Sequence, residues 1–277
     1  MNEIGRLDSD DRIALNLELE EILKLIDKNK IKPAEKRLVK IAKTPNYFVR
    51  EYIGRYLSKH ENPARIEKMA EQMLEHKIYG VRATALFFLY NSHYEEPEQL
   101  YKYIERTYDS VPWEVESIIN DLWKRYPAMM KENMRSWIDS ENSQRRSLSF
   151  HGMESIAQDD PVYIMNYIGK AIDDDTIAVQ KKITHILTQV AKSNPIIVFP
   201  YIREWLAEAD ETRIKTIWIS MKKMANIVVQ KKKYDNREEF VILTEQTIED
   251  WKNDENENVA EMGKRLQRII VKYSNRY

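Results

Sequence analysis

The chain has 277 residues, with 44 Lys or Arg against 45 Asp or Glu, for a formal net charge of −1. Charged residues make up 32% and hydrophobic ones 43%, which supplies a core and excludes a disordered chain. Six glycines and nine prolines are too few for the hairpins of an all-β protein, and with no cysteine there are no disulfides, thiol nucleophiles or thiolate metal sites. Near-zero net charge argues against a uniformly basic polyanion binder, yet leaves room for a basic face on a bipolar molecule.

The first segment, MNEIGRLDSDDRIALNLELEE, is acidic and lacks the apolar core of a signal peptide. No run of about 18 apolar residues follows anywhere, so no membrane partner and a cytoplasmic location are expected. Leu19, Ile22, Leu23 and Ile26 recur at helical spacing, and residues 1–30 are predicted to form an N-terminal capping helix.

Residues 31–225 read as a core of helix pairs. Apolar spacing is helical throughout, and prolines at 33, 45, 63, 97, 112, 127, 161, 195 and 200 punctuate it, most at or just before a helix start. A phrase recurs, as in YFVREYIGRYL (47–57) and YGVRATALFFL (79–89). Aligned on its second residue, the arginine of VR in those two copies, it falls on Arg50, Arg82, Glu116, Arg146, Gln180 and Lys215, at intervals of 32, 34, 30, 34 and 35. A helix-turn-helix unit of that length cannot bury its apolar face alone and stacks on its neighbours, which predicts an all-α helical repeat solenoid. NIVVQKKKYDNR (226–237) reads as an irregular connector, although IVVQ could prolong the helix before it; its basic run, Lys231 to Lys233, suits a solvated loop or a phosphate-contacting edge. Residues 237–277 carry two further helices, predicted to cap the array, and the whole chain, 1–277, is expected to be one helical-repeat domain.

No P-loop, dinucleotide fingerprint, HExxH or GxSxG is present, and nothing calls for a cofactor. His151 and Glu154 share a helical face, but with no second such pair nearby the expectation is no metal. Arg50 and Arg82 suit a ladder of polar contacts to neighbouring repeats; Arg146, in the doublet Arg145-Arg146, is a candidate for more than that. In VPWEVESI (111–118), Trp113 and Glu116 lie one helical turn apart, and an acid stands where neighbouring units carry Arg, Gln or Lys. Taken singly, Trp113 fits a helix-start staple and Glu116 a helix-start acid. Together they breach the repeat rule, and such breaches tend to mark function.

The order of these phrases resembles the AlkD-like DNA alkylation repair family of HEAT-like helical repeat proteins. The likeness runs from about Tyr79 to Met224 and is most specific in IAVQKKITHILTQVAKSNPIIVFPYI. It implies an α-α superhelix with a concave cleft for duplex DNA, in which aromatic residues and a carboxylate promote loss of a cationic N3- or N7-alkylated purine. By position, Trp113 is similar to the family's first cleft tryptophan, Glu116 to its catalytic aspartate and Arg146 to its phosphate-gripping arginine, while His185 stands where a second cleft tryptophan is expected. Three departures accompany this: the Trp-to-acid spacing is one residue shorter, the acid one methylene longer, and one indole is exchanged for imidazole. Arg145, Lys181, Lys182, Lys215, Lys222 and Lys223 would join Arg146 and His185 against the DNA. The family also contains relatives without this activity that bind unusual, branched DNA structures. Balanced charge supports a different alternative, a non-catalytic scaffold gripping a protein partner.

Overall fold

The computed structural model describes residues 8–233 and 238–274, and every regular element among them is helical. The sequence predicts one domain over 1–277; the chain groups into two compact units, Met1–Ile119 and Asn120–Tyr277.

The first unit opens with α1 (Ser9–Asp27), whose first turn is capped by the Asp8 carboxylate accepting from the Asp11 amide at 2.8 Å. Leu19, Ile22 and Ile26 are its buried stripe. Residues 1–7 of the expected capping helix lie outside the described residues. There follow α2 (Ile31–Ala42), α3 (Tyr47–Ser58), α4 (Ala64–Met73), α5 (Tyr79–Ser92), α6 (Pro97–Thr107) and α7 (Pro112–Arg125), the last running on into the second unit. Helix α5 is the centre of the first unit. It is buried at Gly80, Val81 and every position from Ala83 to Leu89, and a helix apolar on all sides needs partners on all sides.

The second unit contains α8 (Pro127–Asn133), α9 (Arg135–Ile138), α10 (Ser143–Ser149), a 3-10 turn at Met153–Ile156, α11 (Pro161–Gly169), α12 (Ile177–Ser193), α13 (Pro195–Ala207), α14 (Glu211–Lys233), α15 (Glu239–Lys252) and α16 (Glu257–Ser274). Helix α14 replaces most of the connector expected at 226–237: Val228 is buried, and its burial carries the helix past the point where the charge run suggested a loop. Residues 234–237 of that connector, and 275–277 of the expected C-terminal cap, lie outside the described residues.

Prolines begin α6, α7, α8, α11 and α13, where a missing amide proton costs little. Pro33 and Pro200 are different, since both lie inside helices, α2 and α13, and mark no break. Buried hydroxyls within helices satisfy themselves one turn back, as Thr84 does on the Gly80 carbonyl and Thr188 on that of Thr184, at 2.8 and 2.7 Å.

The pairing of α3 with α5 sets the spacing of the first unit. At Gly54 an added Cβ would sit 2.6 Å from the Phe88 amide nitrogen and 2.7 Å from the Phe87 carbonyl carbon. These are backbone atoms and cannot swing aside. Gly54→Ala is expected to cost about 1–3 kcal/mol, read as a lower urea midpoint; an unchanged midpoint would show that the two helices separate without penalty.

Candidate functional site

The repeated phrase is built around one geometry. In α3, α5, α10 and α12, the residue four places after the one whose carbonyl opens the helix turns back on the loop it came from. Arg50 donates to the Thr44 and Pro45 carbonyls at 3.2 and 2.7 Å, Arg82 to that of His76 at 2.7 Å, Arg146 to those of Ser140 and Glu141 at 2.8 and 3.0 Å, and Gln180 to that of Asp174 at 3.1 Å. Three of these side chains also reach onward: Arg50 bonds the Glu114 carboxylate at 2.5 Å, Arg82 the Ser110 carbonyl at 3.0 Å and Arg146 the Asp174 carboxylate at 2.6 Å. The ladder expected of Arg50 and Arg82 is therefore present, and Arg146 belongs to it.

Helix starts also correct the register. The opening bond runs from Arg50 to Asn46, from Arg82 to Ile78, from Arg146 to Asn142 and from Gln180 to Thr176, but in α7 and α14 from Val115 to Val111 and from Ile214 to Asp210. The ladder position in α7 is thus the buried Val115, and in α14 it is Ile214. Glu116 and Lys215, aligned there by the sequence phrase, each lie one residue further on, about 100° around the helix.

At the start of α7 a polar cluster forms within the first unit. Glu114 and Arg50 are fully buried and paired at 2.5 Å, with 0% and 3% of their side chains exposed. The other Glu114 oxygen accepts from the Tyr79 hydroxyl at 2.6 Å. Burial, followed by the bond to Glu114, pushes the Tyr79 phenol well above the ordinary range. The Arg50 guanidinium lies between the Tyr79 and Tyr47 rings, 5.5 and 6.0 Å from their centroids. Beside this cluster is a cavity of about 530 Å³, whose lining includes Lys43, Pro45, Arg50, Tyr79, Pro112 and Trp113. Trp113 stands at it 70% exposed, and Glu116 is half-buried one turn along. None of Arg50, Tyr79 or Glu114 stands out in the sequence as a site residue: their meeting depends on a bond across 64 positions.

The second unit gathers cations. Lys182 Nζ lies 2.6 Å from His151 Nδ1, and His185 Nε2 lies 4.0 Å from Glu154. Burial holds the His185 imidazole below its ordinary value; Glu154 opposes this, while Lys223, Lys182 and Lys192 add to it. The ring is accordingly neutral at pH 7. Lys182, His185 and Lys223 are thus brought together, with Lys192 as an addition that the stripe 182, 185, 192 on α12 could have revealed by helical spacing. Lys181, Lys215 and Lys222 are exposed. The Arg145 guanidinium lies 4.9 Å from the Trp137 ring. No three His, Asp or Glu side chains among the described residues are grouped to hold a metal, and no helix among them is long and apolar enough to cross a membrane.

Arg146 is directed inward. Its Nε and Nη2 face Asp174 and Thr176, and its Nη1 faces two loop carbonyls, so its donors point into the protein on both sides. Its role in this geometry is to tie the α10 loop to the α12 loop.

These features define an all-α repeat protein with an exposed indole and an acid at the start of α7 and a cluster of cations on α12 and α14. The sequence profile described as DNA alkylation repair enzyme matches residues 43–230, more than half of the chain, and the chain belongs to that family. No curated protein matches. Among solved structures, smu.31 from Streptococcus mutans UA159 is 16% identical, covers 73% of this chain and 97% of its own, and has a TM-score of 0.49. A designed armadillo repeat protein crystallised with the peptide (KR)4 is 15% identical over 91% of this chain and 99% of its own, with a TM-score of 0.24. Membership of the family supports a role in DNA repair.

The Arg146–Asp174 tie has a pH signature. Burial raises the Asp174 carboxyl, but the hydrogen bonds from Arg146 and Thr176 outweigh it and leave the group below its ordinary 3.8. A carboxyl lowered in the native state stabilises fully above its unfolded value and loses that contribution as pH falls through the native one. Asp174→Asn is expected to unfold at lower urea than the parent at pH 7, with the gap closing as pH drops below about 4; a gap constant from about pH 7 to about pH 3 would remove the ion pair as its cause.

Proposed function

We propose that the chain binds duplex DNA and promotes loss of cationic alkylated purines, with Glu116 as the carboxylate beside the reacting sugar and Trp113 as the π-face beside the charged base. The observation that carries this reading is the exposed indole of Trp113 beside an apolar cavity, with Glu116 one turn along the same helix. Of the two acids beside Trp113, Glu114 is buried and neutralised by Arg50, whereas Glu116 is only half-buried and is the better placed to meet a substrate.

The chemistry fits these residue types. An N3- or N7-alkylated purine departs as a neutral base, so no strong general acid is needed; what lowers the barrier is negative charge near the sugar as oxocarbenium character develops. At about 4 Å and an effective dielectric of about 20, one carboxylate is worth roughly 4 kcal/mol, nearly a thousandfold in rate. Contact between the cationic base and an indole adds about 0.5–2 kcal/mol.

In this reading Lys181, Lys182, Lys215, Lys222, Lys223 and Arg145 contact phosphates, while Arg146 positions the loops beneath them. Branched DNA and a protein partner remain competing ligands for the same surface, and the salt dependence of duplex binding separates them.

Release of methylated purine from alkylated duplex DNA is expected from the parent and reduced about 10²–10³-fold in Glu116→Gln. Equal release by both proteins would remove Glu116 from the reaction, and none from the parent would end the enzymatic reading. Replacing Lys222 and Lys223 together by alanine is expected to lower the slope of log affinity against log salt by about 0.9 for each phosphate that these lysines neutralise. An unchanged slope would take α14 off the DNA.

A further inference from the structure

The first turn of any α-helix has amide protons without helical partners, and the residue preceding it normally supplies a side-chain acceptor. In α7 that residue is Val111, whose carbonyl takes the first helical bond from Val115 at 3.1 Å and whose side chain has nothing to accept with. The start of α7 is held instead through the side chain that follows Trp113: the Glu114 carboxylate, clamped from α5 and α3. Tyr79 donates its own proton to Glu114, and Glu114 is held by Arg50 from α3. Three helices, α3, α5 and α7, thus converge on one carboxylate, whose residue directly follows the exposed tryptophan.

We propose that Arg50, Glu114 and Tyr79 form a positioning relay that fixes Trp113 at the cavity mouth, so that the indole meets its ligand already oriented. The relay runs from Arg50 and from the Tyr79 hydroxyl to the Glu114 carboxylate, and from Glu114 through the peptide bond to Trp113. Tyr79 and Arg50 line the same cavity as Trp113. A buried ion pair under an exposed aromatic is a costly way to gain stability alone, because an apolar set of the same volume would serve as well. Its directionality is what an apolar set lacks: hydrogen bonds fix the azimuth of the α7 first turn, and dispersion forces do not. None of the three residues touches the ligand in this scheme; each acts through Trp113. The ligand assignment rests on the proposed function, whereas the relay itself is a property of the protein without ligand.

The test uses the full chain labelled with 5-fluorotryptophan. Its six tryptophans give six ¹⁹F lines, and the line missing in Trp113→Phe identifies Trp113. Tyr79→Phe keeps the ring and removes only the oxygen. The expected result is a shifted and broadened Trp113 line with the other five unmoved, together with about three- to tenfold weaker binding of methylated duplex. Because Tyr79 acts through Trp113, adding Tyr79→Phe to Trp113→Ala should weaken binding no further. An unmoved Trp113 line in Tyr79→Phe would overturn the relay. So would displacement of all six lines in both Tyr79→Phe and the second variant, Glu114→Gln, since that means general destabilisation. If the Trp113 line responds but neither Trp113→Ala nor Tyr79→Phe alters binding to methylated duplex, the relay stands and the assignment of Trp113 to DNA falls.

Discussion

A helical repeat has to solve the same problem at every unit: the loop entering an inner helix leaves carbonyls facing inward, where water cannot reach them all. In this chain the solution is a long polar side chain one turn into the helix, bent back onto that loop. Arg50, Arg82, Arg146 and Gln180 all do this, and two of the arginines use their remaining donors on the loop of the next unit. A guanidinium suits the task because its planar fork presents about five donors in fixed directions. The stacking of units and the closure of loops are therefore one interaction, and the apolar stripes follow the spacing it sets.

Helix α7 departs from this scheme and has to be held by other means. The Val115 side chain occupies the ladder position and can bond nothing, so the start of α7 is held from the preceding units: Arg82 takes the Ser110 carbonyl, and Arg50 and Tyr79 take the Glu114 carboxylate. The bond from Arg50 to this α7 carboxylate spans two repeats where those of Arg82 and Arg146 span one. Removing one partner of such a buried pair costs about 3–5 kcal/mol because the other charge is stranded. The departure that frees α7 from the ladder is thus accompanied by ties to α3 and α5, and the exposed indole is carried on the turn that they hold.

Much of the fold was legible because the helical period and the prolines are strong local signals. Pro97, Pro112, Pro127, Pro161 and Pro195 each begin a helix. What local signals could not give was register where the phrase lacks its arginine. Aligning the phrase on its second residue draws Glu116 and Lys215 into the ladder column, whereas the helix starts put Val115 and Ile214 there. A one-residue slip changes a position by about 100° around a helix, so it alters which neighbour a side chain meets. The Lys231 to Lys233 run misled for a related reason, since its charge concealed the buried Val228 that extends α14. Trp113 and Glu116 were visible as an irregularity. Glu114 was not, because its burial follows from Arg50 and Tyr79, which are remote in sequence.

The register shift also sharpens the division of labour between the two acids beside Trp113. A carboxylate that anchors a helix start has to be buried and neutralised, and one that meets a developing positive charge has to face outward. Glu114 meets the first condition, with Arg50 on one oxygen and Tyr79 on the other. Glu116, two residues on and therefore about 200° around the helix from Glu114, is turned away from that pair. Had Glu116 occupied the ladder column it would have faced the loop carbonyls, where a carboxylate is repelled. Its displacement by one residue out of that column is what makes an acid at this point of the repeat physically tolerable, and what separates the charge that holds the helix from the charge that a ligand could meet.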